Sequence, residues 1–380
     1  MQKIYTSIFV VLVLISTAVI FASCKKEAHD KQPLISYVRI TDPAASDSLL
    51  TAATQGQLLA IMGENLEDAA EIWFNDRKAT ITPTYITPTT ILASVPSLVP
   101  IDITNKLKII FRNGYELLYD FKVNISEPVI NNMLCEFVNE GDIATINGNY
   151  FYAPITVTFT GGVEAVIEEL EDKKIKVQVP AGVQPGPVTI KTNFGETKSD
   201  FWFRDNRNIF ISSDPYEGWW NADLVVSSPG AGNPPLISGN YIRLTKAVGA
   251  WSWTELAGGD AGSMPNHSKN IPDEAILKPE DYYLKFEVNT IKPYNGNAVK
   301  INVALTAEQN AGYIWPAPYD TKGLWQTVVI PLTEVFNSYN PKPVISANGY
   351  WCRVVVGNAA GDWDADICFD NFRVVPKLSK

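Results

Sequence analysis

The chain has 380 residues, too many for one ordinary core, and its 46% apolar and 19% charged composition predicts two or three well-folded domains rather than disorder. A formal charge of −10, with no Lys/Arg run beyond Lys25-Lys26 and Lys173-Lys174, excludes the basic footprint that nucleic-acid binding requires. Long helical patterns are nearly absent. Short Val/Ile/Thr/Tyr/Phe runs punctuated by Gly, Pro, Asn and Asp predict an all-β protein.

The first residues, MQKIYTSIFVVLVLISTAVIFASC, combine Lys3, an apolar run from Ile8 to Phe21 and the small residues Ala22 and Ser23 before Cys24. That order predicts a signal peptide over residues 1–23 with a lipobox-like end. The mature chain is then expected to begin at a lipidated Cys24, on the cell-surface side of the outer membrane. A plain membrane anchor is the competing reading, because apolar residues dominate from Ile4 to Ala22. Residues 24–32 are polar and short, as a tether should be.

An internal repeat follows. GQLLAIMGENL (Gly56 to Leu66) and GDIATINGNYF (Gly141 to Phe151) each place a second glycine seven residues after the first. IWF, ILASVP and NGYELLYDFKV follow the first, and VTF, IKVQVP and FGETKSDFWF the second. Two tandem β-sandwiches over 33–126 and 127–205 account for this. The pattern resembles the IPT/TIG immunoglobulin-like domain, with Pro33 and Pro128 opening the copies and Phe121 and Phe203 closing them. An insertion around Asp42 to Ser48 departs from that pattern. Such domains most often serve as spacers, so the resemblance implies fold rather than ligand.

From Asp205 onward the composition changes: eight of the ten tryptophans fall in this portion. LWQTVVIPLTEVF and DADICFDNFRVVPK have the form of strands from carbohydrate-binding jelly-roll sandwiches, which predicts one β-sandwich over 206–380. Trp325 and Trp351 sit in strong β runs and are assigned to packing. Trp363, in GDWDAD, is left open between core and surface. The sites with small or polar neighbours are Trp219-Trp220 in YEGWWNAD, Trp251 and Trp253 in GAWSWTELAGG, and Tyr313 and Trp315 in NAGYIWPAPY.

In an extended segment, residues one apart share a face and adjacent residues oppose each other. Trp251 with Trp253, and Tyr313 with Trp315, are therefore expected to pair on a face, and only one of Trp219 and Trp220 to reach a ligand. Trp220 is preferred for its neighbours Asn221 and Asp223. An indole presents a broad negative π-face to the C–H groups of a sugar ring. Base–aromatic stacking, about 1–3 kcal/mol per ring, is the nearest analogue for its strength. Glu255, Asn266, Asn240, His267 and Gln326 are the candidates to bond sugar hydroxyls.

The whole order of lipobox, tether, tandem IPT/TIG-like domains and terminal sandwich resembles the surface glycan-binding proteins, type B, of Bacteroidota polysaccharide-utilisation loci. The resemblance implies a non-catalytic site on the terminal domain for a β-glucan such as xyloglucan, mixed-linkage glucan or laminarin. It also implies a glycan transporter complex and a surface endoglucanase as partners. By position and neighbours the site is carried to Trp220, Trp251, Trp253, Tyr313 and Trp315, with Glu255 and Asn266.

The other readings are surface adhesion through a protein hot spot, and glycoside hydrolysis by carboxylates such as Glu217, Glu255, Asp260 and Asp281. Histidine chemistry would rest on His267 alone, since His29 lies in the tether, and no GxSxG or HExxH motif occurs. Cys135, Cys352 and Cys368 show no zinc-site spacing. Cys352 and Cys368 are placed either in a disulfide or as buried thiols. No cofactor is expected beyond a structural Ca2+ near Asp370 and Asp214.

Overall fold

The computed structural model describes residues 32–45, 47–219, 221–306, 312–357 and 361–378. The described residues divide into two compact units, one up to Ile125 and one from Ser126 onward. Cys24 and the tether as far as residue 31, along with Trp220, lie outside the described residues.

In the first unit, Leu34–Ile40, Leu58–Glu64 and Thr90–Ser94 form one sheet. Arg77–Lys78, Ala69–Phe74, Lys106–Phe111 and Glu116–Asp120 form the facing one. Alternation along these strands turns Leu59, Ile61, Ile72, Phe74, Ile91, Leu107 and Ile109 inward to a single core. The segment around Asp42 to Ser48 contains the short 3-10 turn Pro43–Ala45, with Asp42 accepting the Ala44 N–H at 2.8 Å.

The second unit opens with the same design. Val129–Met133, Ile143–Asn149 and Lys174–Gln178 repeat the first sheet, with Val166–Glu171 added at its edge; Val163–Glu164, Ile155–Phe159, Gly186–Thr192 and Gly195–Phe203 repeat the second. The repeated second glycine has a common cause. A Cβ at Gly63 would lie 2.0 Å from the Leu34 carbonyl oxygen, and one at Gly148 2.0 Å from that of Val129. Each glycine lets the first strand, which is bulged at Ile35/Tyr37 and at Ile130/Asn132, cross its neighbour closely.

The first copy lacks the added edge strand. Its sequence there, ATITPTYITP, holds Pro83 and Pro88, which cannot donate to a ladder, and forms the 3-10 turn Pro83–Tyr85 instead.

The last sandwich packs two sheets. One, of six strands, is ordered Val225–Val226, Tyr241–Val248, Trp363–Pro376, Tyr282–Thr290 and Gln326–Pro331, with Ile209–Ile211 also paired to Trp363–Pro376. The other is ordered Trp253–Gly259, Trp351–Gly357, Val299–Leu305 and Tyr313–Ile314. Phe286, Phe369, Val354, Ile301 and Trp315 are among the residues that fill the space between them. Trp325 is buried as expected, with its indole N–H donated to the Pro235 carbonyl at 2.9 Å. Trp363 is buried as well, edge-on to Tyr294.

The outer face of the six-stranded sheet carries a buried charge cluster that reaches into the second sandwich. Glu136, from that sandwich, bonds Lys285 at 2.6 Å and Arg373 at 2.8 Å, and Arg373 also bonds Glu287 at 2.7 Å. The Leu134 carbonyl accepts the Thr327 N–H at 2.9 Å, so backbone pairing supports the same junction.

Cys135, Cys352 and Cys368 are free and buried, which decides the disulfide question for the thiols. Cys352 belongs to the core between the sheets and Cys368 to the small cluster with Tyr241 and Trp325, so the two are packed in separate clusters. Burial pushes the Cys352 thiol up to about 12 and Cys368 higher still, leaving both unreactive.

Candidate functional site

The outward face of the sheet containing Trp253–Gly259 gathers aromatic and charged side chains. On Trp351–Gly357 the residues Cys352, Val354 and Val356 point into the core, so Trp351, Arg353, Val355 and Gly357 face out. On Val299–Leu305 the same alternation sends Val299, Ile301 and Val303 inward and Lys300 and Asn302 outward. Register places Asn302 opposite Arg353, and both Lys300 and Glu255 opposite Val355.

At one end of this face stands Trp253, 46% exposed and paired with Gly357. The Lys300 ammonium lies 5.5 Å from the Trp253 ring centroid. Burial, and after it the Arg353 charge, hold the Lys300 ammonium below its usual value. In the middle, Glu255 accepts from Arg353 Nε at 3.3 Å and from Nη2, a largely buried forked pair.

At the other end lies Trp219. Its backbone N–H donates to the Gly258 carbonyl at 3.1 Å, and its ring sits 5.0 Å from the Arg353 guanidinium and edge-on to Trp351 at 5.5 Å. Glu217, two residues earlier, anchors the segment: it accepts the Asn266 N–H at 3.2 Å, and His267 Nδ1 lies 2.9 Å from its Oε2. Burial would raise the Glu217 carboxyl, but His267 and Asn266 draw it below its ordinary value. Tyr216 packs beside this segment with its hydroxyl pushed up to about 12, by burial first and then by Glu255 and Asp223.

The expected site residues divide accordingly. Trp253 and Glu255 are on the face, whereas Trp251 reaches solvent by a different route. It is 88% exposed at φ +68° in the turn closed by the Ser252 N–H on the Gly249 carbonyl, so it precedes the strand and shares no strand face with Trp253.

Tyr313 and Trp315 are corrected. They do share a face, but it is the inner one, and alternation leaves Ile314 outside. Trp315, 3% exposed, stacks on Tyr294 with centroids 4.8 Å apart, and the Tyr313 hydroxyl donates to Glu334 at 2.7 Å. Neither ring can meet a ligand.

Asn266 is exposed and supports the Trp219 segment through its bonds to Glu217. Asn240 is held by Asp214 and Ser213, and Gln326 receives the Tyr319 hydroxyl. Trp220 lies outside the described residues. Trp219, passed over in the sequence because its neighbour had polar company, is the tryptophan of that pair seen on the face. Arg353, Lys300 and Asn302, on the same side of the sheet, were missed too, since RVVV and KINV read simply as strands; alternation away from the core was the available signal.

The two residues expected near calcium, Asp214 and Asp370, each accept a backbone N–H. Both Asp214 carboxylate oxygens accept the Asn240 N–H, at 2.9 and 3.0 Å, and among the described residues no group of three or more His, Cys, Asp or Glu could hold a metal ion.

Comparison with known proteins bears on the family and the fold. Residues 203–376 match the family described as surface glycan-binding protein B xyloglucan binding domain, and residues 47–122 match the IPT/TIG domain. An IPT/TIG domain-containing protein of Bacteroides ovatus is 27% identical over 162 residues, 40% of this chain and 33% of the relative. The chain therefore spans about a third of the length of that curated relative.

The crystal structure of surface glycan-binding protein PbSGBP-B from Prevotella bryantii is similar with a TM-score of 0.66 at 23% identity, covering 91% of this chain and 99% of that one. SGBP-B from a complex xyloglucan utilization locus in Bacteroides uniformis gives 0.50 at 18% identity, covering 91% and 100%. At these identities the two structures establish the shared fold.

Proposed function

Since the chain belongs to the surface glycan-binding protein B family, a family of non-catalytic glycan binders, we propose that it captures a neutral β-glucan on the outward face bounded by Trp253 and Trp219. The arrangement of these two indoles carries the reading. Trp219 lies against Gly259, six residues along the strand from Trp253, which puts the rings about 17–20 Å apart at some 3.3 Å per residue. That distance calls for several sugar rings in a row, and an extended chain of β-linked pyranoses supplies them.

Between the platforms the half-buried Glu255, fixed by the buried Arg353, offers an acceptor to ring hydroxyls, and the half-buried Lys300 beside Trp253 offers a donor. Fixed partners matter because each stacked ring contributes only about 1–3 kcal/mol by analogy with base stacking. Xyloglucan is the leading candidate, from the description of the matched family; mixed-linkage glucan and laminarin are the other β-glucans the reading admits.

In the same reading Cys24 carries the lipid anchor at the cell surface, and the two Ig-like domains are spacers between membrane and site. The captured polymer then passes to a transporter and an endoglucanase. Native affinity electrophoresis of the chain from Lys25 onward through gels containing xyloglucan, mixed-linkage glucan, laminarin or starch tests the ligand class. Retardation by at least one β-glucan and none by starch is expected. Free migration in all four would leave the adhesion reading in its place.

A further inference from the structure

We propose that Arg353 is a positioning residue for glycan binding, holding Trp219 as the second platform through a guanidinium that Glu255 keeps in place. This rests on the reading of the outward face as the glycan site.

Trp219 does not belong to a sheet strand. Its segment meets the sheet through the Gly218–Gly258 bridge and the Trp219 N–H bond to Gly258. The backbone is thereby fixed, but a ring on a single-residue bridge can still take several rotamers. The side-chain contacts select one, the indole bond to the Asp260 carboxylate among them. Arg353 projects from the adjacent strand, opposite Gly258, and its guanidinium stands 5.0 Å from the indole. Trp351 meets the indole edge-on from the same strand.

Beneath the ring the strand carries no side chain. A Cβ at Gly259 would come within 3.2 Å of the Trp219 ring, so the indole lies directly on that backbone. The guanidinium is itself confined, because its forked bonds to Glu255 fix both its plane and its direction. A lysine would keep the charge and lose both the plane and the fork.

The coupling between Arg353 and Trp219 is therefore the quantity to measure, by a double-mutant cycle on the chain from Lys25 onward with xyloglucan oligosaccharide as titrant. Arg353→Lys is expected to weaken binding about tenfold in the wild-type background and less than twofold when Trp219→Ala is already present. Glu255→Gln, which loosens the guanidinium without removing it, is expected to weaken binding three- to tenfold and to shift the near-ultraviolet circular dichroism of the tryptophans in the same sense as Arg353→Lys.

Equal losses from Arg353→Lys in both backgrounds would overturn the proposal, showing that Arg353 acts on the sugar independently of Trp219. No loss in either background would overturn it as well. If the wild-type chain binds neither xyloglucan nor another β-glucan, the reading of the face fails, and this inference fails with it.

Discussion

Asp370 shows how a single carboxyl can be read from its surroundings. It lies buried opposite Glu287, with Oδ1 accepting the Asn371 N–H at 2.9 Å and Oδ2 without a partner. The neighbouring ions already balance: Glu136 and Glu287 face Lys285 and Arg373. A charged Asp370 would be the surplus anion. Burial first, and then Glu287 and Asp214, push its carboxyl well above the ordinary value, against a smaller opposing pull from Arg373.

The sign follows from linkage. A carboxyl raised in the folded state costs no stability below the unfolded value of about 3.9, and costs progressively more as pH climbs from there toward the folded value. Asp370→Asn should therefore raise the melting temperature at pH 8, with the gain shrinking toward pH 4. Thermal melts of both proteins across that range check it. A lower melting temperature for the variant at pH 8, or a calcium-induced rise that the variant abolishes, would mean that Asp370 works as an anion.

At the scale of elements, the informative contrasts lie between what alternation specifies and what it leaves open. The period-2 rule correctly pairs Tyr313 with Trp315, but which face is inner depends on the sheet packed behind it. Here Phe286 and Tyr294 are behind it, so the rings turn inward. The repeat was legible because Gly63 and Gly148 answer a backbone requirement that no other residue meets.

The junction between the second sandwich and the last was not legible. Its members Glu136, Lys285, Glu287 and Arg373 are scattered over the chain in runs that otherwise read as half-exposed strands. Breaking that junction is predicted to be costly. Glu136→Ala leaves Lys285 and Arg373 short of a buried counter-ion, and about 3–5 kcal/mol of stability should be lost. Urea unfolding followed by tryptophan fluorescence would show it as a lower midpoint, whereas a loss under 1 kcal/mol would mean that the junction opens to water.

For the whole molecule, the order of modules was readable from spacing and composition, because repeats, turn residues and tryptophan enrichment are local in sequence. The binding face was only half readable. Trp253 and Glu255 sit in one stretch, but Trp219, Lys300 and Arg353 come from three other parts of the chain and meet only in the folded sheet.

Whether this face holds the glycan is decided by isothermal titration calorimetry of the chain from Lys25 onward, wild type and Trp253→Ala, against xyloglucan. The substitution is expected to weaken binding tenfold or more, about 1.4 kcal/mol, without lowering the melting temperature. Equal affinity of the two proteins for the same polysaccharide would contradict it and move the site off this face.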